Sequence, residues 1–66
     1  MLDISEVSRQ SGVAASKLRY YEEIGLIRSI GRSGLRRVFA PDVLSRLSLI
    51  ALGQAAGFSL AEIGDM

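Results

Sequence analysis

Apolar residues recur at helical spacing in four stretches of this chain, and between the second and third they give way to two short apolar-basic runs. Leu2-Asp3-Ile4-Ser5-Glu6-Val7 reads as a helix start, with Asp3 capping, Glu6 reaching back to the cap amide and Leu2 packing onto Val7. The helix is predicted to run to Gln10 or Ser11 and stop at Gly12, with Ile4 and Val7 turned inward. Gly12-Val13-Ala14 is a short turn anchored by Val13. Ala14 is a poor cap, so the second helix is expected to begin slightly later with help from Ser16. It runs through Leu-Arg-Tyr-Tyr-Glu-Glu to a natural stop at Gly25. Leu18 and Tyr21 fall on its core face, and Ser16, Arg19, Tyr20 and Glu23 on the opposite one.

Leu26–Ser29 and Leu35–Phe39 flank a Gly/Ser-rich loop, Ile30–Gly34, and read as the strands of a small hairpin. Such a hairpin is not stable alone and is expected to lean on the helices through Leu26, Ile27 and Phe39. Pro41 fits the first position of a third helix, and Asp42 suits its positive end. Val43, Leu47 and Ile50 form its stripe, with Leu44, Ala51 and Ala55 beside it, as far as about Ala56. Gly53 weakens this helix by ~1 kcal/mol relative to alanine, and Gly57 ends it. Ser59 and Glu62 repeat the capping signature for a fourth helix, with Phe58 packing onto Ile63 and the helix cut short at Met66. Leu49 and Leu52 lie off the stripe, a surface expected to receive a helix that follows Met66 or comes from a partner subunit. The result is a mainly α winged helix-turn-helix of four short helices, with a β-hairpin wing between the second and third.

Composition narrows the chemistry. The chain of 66 residues forms at most one domain, 1–66, and contains neither cysteine nor histidine, which argues against a zinc site or a histidine-dependent catalytic centre. Seven carboxylates are present, but several are assigned as caps and nothing resembles a nucleophile with its base, so an enzyme is not expected. No apolar run approaches the ~20 residues that cross a bilayer, so a cytoplasmic location is expected and a membrane is not. The net charge is only +1, yet Lys17, Arg19, Arg28, Arg32, Arg36 and Arg37, six of eight basic residues, share one window with two carboxylates, Glu22 and Glu23. A cluster of this kind is either a footprint on a polyanion or a solvated basic loop.

The wording of the chain resembles the N-terminal DNA-binding domain of MerR-family transcription regulators. The matching residues are Ile4-Ser5-Glu6-Val7, Ser11-Gly12-Val13, Leu18-Arg19-Tyr20-Tyr21-Glu22, Gly25-Leu26-Ile27, Arg36-Arg37 before an aromatic, Asp42-Val43, and Gly57-Phe58-Ser59-Leu60-Ala61-Glu62-Ile63. Ser29-Ile30, Ser33-Gly34 and Ile63-Gly64 lean toward its redox-sensing SoxR-like branch. The resemblance implies a homodimer on promoter DNA in the nucleoid, held by a C-terminal coiled coil absent from this chain and acting on RNA polymerase by distorting the promoter. It also places the family's cysteine ligands outside this stretch, so no cofactor is expected here. Arg37-Val38-Phe39 departs from the usual Arg-Arg-Tyr pattern, and Phe39 cannot donate a phenolic hydrogen bond to phosphate.

On this reading helix 15–24 enters the major groove and wing 27–39 rides on the phosphate backbone. Arg19 is the first expected DNA contact, against an alternative pairing with Glu23 one turn on. Ser16 and Lys17 approach the groove from the helix start, Lys17 toward phosphate. Tyr20 is assigned to phosphate or base, against simple packing on the wing, and Tyr21 to the core with its hydroxyl reaching phosphate. Arg36 and Arg37 are expected to bind phosphate from opposite faces of the strand, so that one makes the main contact. Arg28 and Arg32 stand second, and Glu22 and Glu23 orient neighbouring cations. Two further functions fit the same residues: an excisionase-like architectural DNA binder, and a small helical protein-interaction module docking its basic window on an acidic partner. Steep salt dependence separates DNA binding from the latter.

Overall fold

The chain begins as a strand. In the computed structural model, which describes residues 1–65, Leu2–Asp3 (β1) leads directly into helix α1, Ile4–Ser11. Helix α2 spans Ala15–Glu23, strands β2 and β3 span Gly31–Ser33 and Arg36–Phe39, and helices α3 and α4 span Val43–Ala55 and Leu60–Gly64. The sheet is antiparallel in the order β1-β3-β2. Leu2 stands opposite Phe39, Asp3 opposite Val38, and Arg32 opposite Arg37. The expected two-stranded hairpin is therefore a three-stranded sheet.

Asp3 caps α1 as its position predicts, accepting the Glu6 N–H at 2.8 Å. Glu6 does not reach back to the cap. Its carboxylate turns along the helix to Arg9 and to Gln10 Nε2, the latter at 2.7 Å. The Arg9 guanidinium, and then the Gln10 amide, hold that carboxyl below the usual glutamate range. Gly12 closes α1 with φ 76°, a left-handed conformation open to glycine at little cost. Helix α2 starts at Ala15 without a side-chain cap, so Ser16 does not supply one. At its far end the Leu26 N–H returns to the Tyr21 carbonyl at 2.8 Å and the Gly25 N–H to Glu22 at 3.1 Å, the two bonds of a Schellman ending.

That ending moves the first wing strand. Leu26 and Ile27 are buried beneath the turn rather than laid into a strand, and pairing begins only at Gly31, inside the expected loop. Gly34 turns the hairpin with φ 64° and Leu35 follows at negative φ, the pattern of a type II′ turn. Pro41 and Asp42 form the turn before α3 instead of its first helical residues, and the Asp42 side chain makes no capping bond. Within α3, Val43, Leu47 and Ile50 are buried as expected, whereas Ala51 and Ala55 are exposed, so the core stripe is narrower than predicted. Leu49 and Leu52 are 46% and 68% exposed.

The core joins Ile4, Val7, Leu18, Tyr21, Leu26, Ile27, Phe39, Val43, Leu47, Ile50 and Ile63. Phe39, fully enclosed, is a core residue and offers nothing to a phosphate. Arg46 Nε donates to the Leu26 carbonyl at 2.9 Å, fastening the segment after α2 onto α3. Ser59 and Glu62 form the full capping box at the start of α4, while Phe58 stays 44% exposed. The expected break of this helix at Met66 lies outside the described residues.

Gly53 has a packing reason. A Cβ there would stand 2.8 Å from Cγ1 and Cδ1 of Ile63, which is fully buried and has no solvent to swing into. Replacing Gly53 with alanine gains about 1 kcal/mol of helix propensity but overpacks the α3–α4 contact, at a cost of roughly 1–3 kcal/mol. Gly53→Ala is expected to lower stability by about 1 kcal/mol net in urea unfolding, with faster amide exchange in α4; a gain in stability refutes the close-approach account.

The Ser59 backbone N–H, and then its hydroxyl, hold the Glu62 carboxyl below the usual glutamate range. A carboxylate lowered in this way stabilises the folded state above its unfolded value, and the effect is lost as pH falls through the folded one. Glu62→Gln, which mimics the protonated acid, is therefore expected to melt below the wild type at neutral pH. The two should converge as pH falls through the lowered folded value of Glu62. Parallel melting curves across that range count against the capping-box account.

Candidate nucleic-acid interface

The start of α1, the outer face of α2 and the hairpin enclose an open cleft of about 520 Å³ lined by Ile4, Ser5, Arg19, Arg32, Leu35, Arg36 and Arg37. Four arginines thus line one concavity, and no acidic residue does. Helix α2 supplies Arg19 because the burial of Leu18 and Tyr21 fixes its rotation and turns Arg19 outward. The hairpin supplies the others, with Arg32 and Arg37 side by side across the strands.

The four arginines differ in what holds them. Arg19 and Arg32 are exposed and form no ion pair among the described residues, so the alternative Arg19–Glu23 pair is not made. Arg36 turns toward α1, donating to Ser5 Oγ at 3.0 Å and lying 3.4 Å from Asp3 Oδ2. Arg37 turns toward α2, with Nε 3.1 Å from Glu22 Oε1. That approach is ionic rather than a directed hydrogen bond, and Glu22 Oε1 is buried without a directed donor. The other Glu22 oxygen accepts the Ser29 hydroxyl at 2.6 Å. Strand alternation therefore sends Arg36 and Arg37 to different partners, and Glu22 orients a basic neighbour as the sequence reading expected.

The remaining predicted residues lie outside this cleft. Ser16 and Lys17 are exposed on the first turn of α2, where Lys17 Nζ stands 5.8 Å from the Tyr21 ring centroid. The Tyr21 ring is buried. Tyr20, half exposed, does not pack on the wing: it lines a second groove with Ile24 and Gly25 at the end of α2 and with Leu60 and Ala61 of α4. Sequence reasoning ranked Arg32 second and gave no role to Ser5 or to Leu35, which is 97% exposed at the hairpin tip. The displaced strand register is what brings Arg32 level with Arg37, and no local signal in the sequence announces it.

Among the described residues, no group of acidic, histidine or cysteine side chains could hold a metal ion. No helix among the described residues is long and apolar enough to cross a membrane. A helix-turn-helix whose second helix faces outward beside a basic hairpin is the winged helix-turn-helix architecture of DNA-binding domains. Residues 2–66 match the MerR HTH family regulatory protein, and the chain belongs to the MerR family.

It is 44% identical over 63 residues to the HTH-type transcriptional activator SoxR homolog of Chromobacterium violaceum, a match covering 96% of this chain and 43% of the relative. It is 40% identical over 62 residues to the HTH-type transcriptional regulator HmrR of Rhizobium leguminosarum, covering 92% and 47%. Among solved structures, a MerR-family transcriptional regulator from Bacillus cereus superposes with a TM-score of 0.85 at 34% identity, over 96% of this chain and 48% of the other. HiNmlR, a MerR-family regulator lacking the sensor domain and bound to promoter DNA, superposes with a TM-score of 0.83 at 29% identity, over 97% and 52%. The chain therefore spans about half the length of the relatives it matches. The family and the relatives it matches are HTH-type transcription regulators, not enzymes. The SoxR-like leaning stands on one of several differently named relatives, so the resemblance is to the family as a whole.

Proposed function

We propose that residues 1–66 act as one sequence-specific promoter-binding domain, with helix 15–24 in the major groove and the hairpin 31–39 on the phosphate backbone, in place of the wider wing 27–39. The observation that carries this reading is the cleft between α2 and the hairpin, lined by four arginines, with Arg19 and Arg32 in no ion pair among the described residues. Arg19 reads a base edge, where a bidentate arginine discriminates by ~1–3 kcal/mol. Arg32 holds a phosphate from the wing. Arg36 joins it, because its own side chain is 61% exposed and Ser5 is exposed, so a phosphate displaces its contacts with Asp3 and Ser5 at little cost. Ser16 and Lys17 approach the groove from the start of α2, where the recognition helix enters. The Tyr20 hydroxyl reaches the backbone from the α4 side, and Tyr21 steadies Lys17.

The intact regulator acts in the cytoplasm as a homodimer, joined by a coiled coil C-terminal to this domain, and influences RNA polymerase through the shape of the promoter. Leu49 and Leu52, exposed together on α3, offer a seat for that coiled coil. Linking two domains raises the effective concentration of the second half-site, so a single domain binds weakly.

The test is a footprint of the full-length protein on its own upstream region, followed by titration of the protected duplex and a scrambled one at several salt concentrations. Arg19→Ala is expected to bring the two duplexes to nearly equal affinity. Arg32→Ala is expected to weaken both about equally and to flatten the log–log salt slope by about 0.9, the loss of one neutralised phosphate. A protein whose affinity ignores salt overturns the reading in favour of a protein-docking module, and an Arg19→Ala variant that keeps full selectivity overturns the base-reading role given to Arg19.

A further inference from the structure

We infer that Glu22 is a positioning residue for this interface: its carboxylate latches Arg37 to the recognition helix, so Arg37 sets the separation of helix and wing instead of gripping phosphate. The inference rests on the DNA-binding reading above and assigns a different task to one of its arginines.

The two wing ion pairs differ in exposure. Arg36 and Asp3 have side chains 61% and 34% exposed, whereas Arg37 and Glu22 are 34% and 21% exposed. An exposed pair separates at almost no cost. Pulling Arg37 away would leave a largely covered carboxylate uncompensated, with Oε1 already lacking a directed donor. Ser29 holds the other oxygen at 2.6 Å and so fixes the carboxylate's orientation. Three segments converge on one side chain: α2, the connection that follows it, and β3.

By backbone proximity β3 packs mainly on β1, β2 and α1, and Phe39 shares the core with Leu18 and Tyr21 of α2; among the described residues Arg37–Glu22 is the only ion pair that ties α2 to the wing strand. Glu22 lies one helical turn beyond Arg19, and Arg37 stands directly across the hairpin from Arg32. The latch therefore ties α2, which carries Arg19, to β3, whose neighbour β2 carries Arg32 opposite Arg37, and its length fixes how far apart the Arg19 and Arg32 guanidiniums meet a duplex.

The sign of one substitution tests this. Glu22→Gln removes a negative charge beside a polyanion, so electrostatics alone predicts tighter binding, whereas a latch predicts weaker. The probe is a duplex selected from a random pool by the wild-type full-length protein, with each variant first shown to keep its far-ultraviolet circular dichroism. Glu22→Gln and Arg37→Gln are each expected to weaken binding by roughly three- to tenfold. The double variant is expected to be no weaker than either single one. The salt slope should stay unchanged in Arg37→Gln, while Arg32→Gln loses about 0.9 from it. Ser29→Ala, which alters no charge and leaves the pair in place, should weaken binding in the same direction by a smaller factor.

Tighter binding by Glu22→Gln, or a slope reduced by about 0.9 in Arg37→Gln, overturns the latch while leaving the DNA-binding reading intact. A wild-type protein that selects no duplex overturns that reading, and the latch with it.

Discussion

The pairing of Leu2 and Asp3 with Phe39 and Val38 is what turns a floppy hairpin into a wing. Strands of three and four residues have too few cross-strand contacts to persist in water. Adding β1 makes a third strand, and because α1 begins at the very next residue, the sheet and the first helix become one unit. Phe39 locks that unit from beneath, fully enclosed among the helices. Asp3 serves the arrangement three ways at once, as ladder residue, helix cap and neighbour of Arg36. The phenylalanine that departs from the family's usual wing tyrosine is therefore no defect of the interface. It sits where a hydroxyl would need a partner in an apolar core.

The helices were legible because their signals are local. Gly12, Gly25 and Gly57 all adopt positive φ at helix ends, and Ser59 with Glu62 forms the capping box that their spacing announces. The stripes of Leu18 with Tyr21, and of Val43, Leu47 and Ile50, follow from a period that the sequence displays directly. The sheet was not legible for the converse reason. A strand of two residues has no period, so Leu2 and Asp3 looked like the approach to a helix. Leu26 and Ile27 looked like a strand because they are apolar and adjacent, but their burial comes from the Schellman ending of α2. The polar Gly31–Ser33 segment pairs through its backbone alone, a property that side-chain patterning does not encode.

The candidate site divides along the same line. That Arg19 and Tyr20 face outward while Tyr21 faces inward is a consequence of helical rotation and could be read in advance. Which arginine has which partner could not. Arg37 meets Glu22, and Arg46 meets the Leu26 carbonyl, only because the chain folds back. Counting basic residues in a window gives a charge. It does not give a ligand set.

This distinction alters what a basic patch means in a domain this small. An arginine with a free guanidinium loses side-chain entropy when it meets a phosphate, and gains counterion release in return. One already fixed by a half-buried carboxylate has lost that entropy on folding and offers a neutralised group with little to contribute to salt-dependent affinity. Its usefulness is geometric: it makes the spacing of its free neighbours reproducible. Here the carboxylates of Asp3 and Glu22 sort the wing arginines by exposure, one pair open and exchangeable, the other covered. The near-neutral chain can thus present a cationic cleft, because no acidic residue lines it and Asp3, Glu22 and Glu62 serve as helix cap, strut and capping box. What distinguishes an interface arginine from a structural one in this fold is therefore not its place in the basic run but the solvent access of the carboxylate nearest to it.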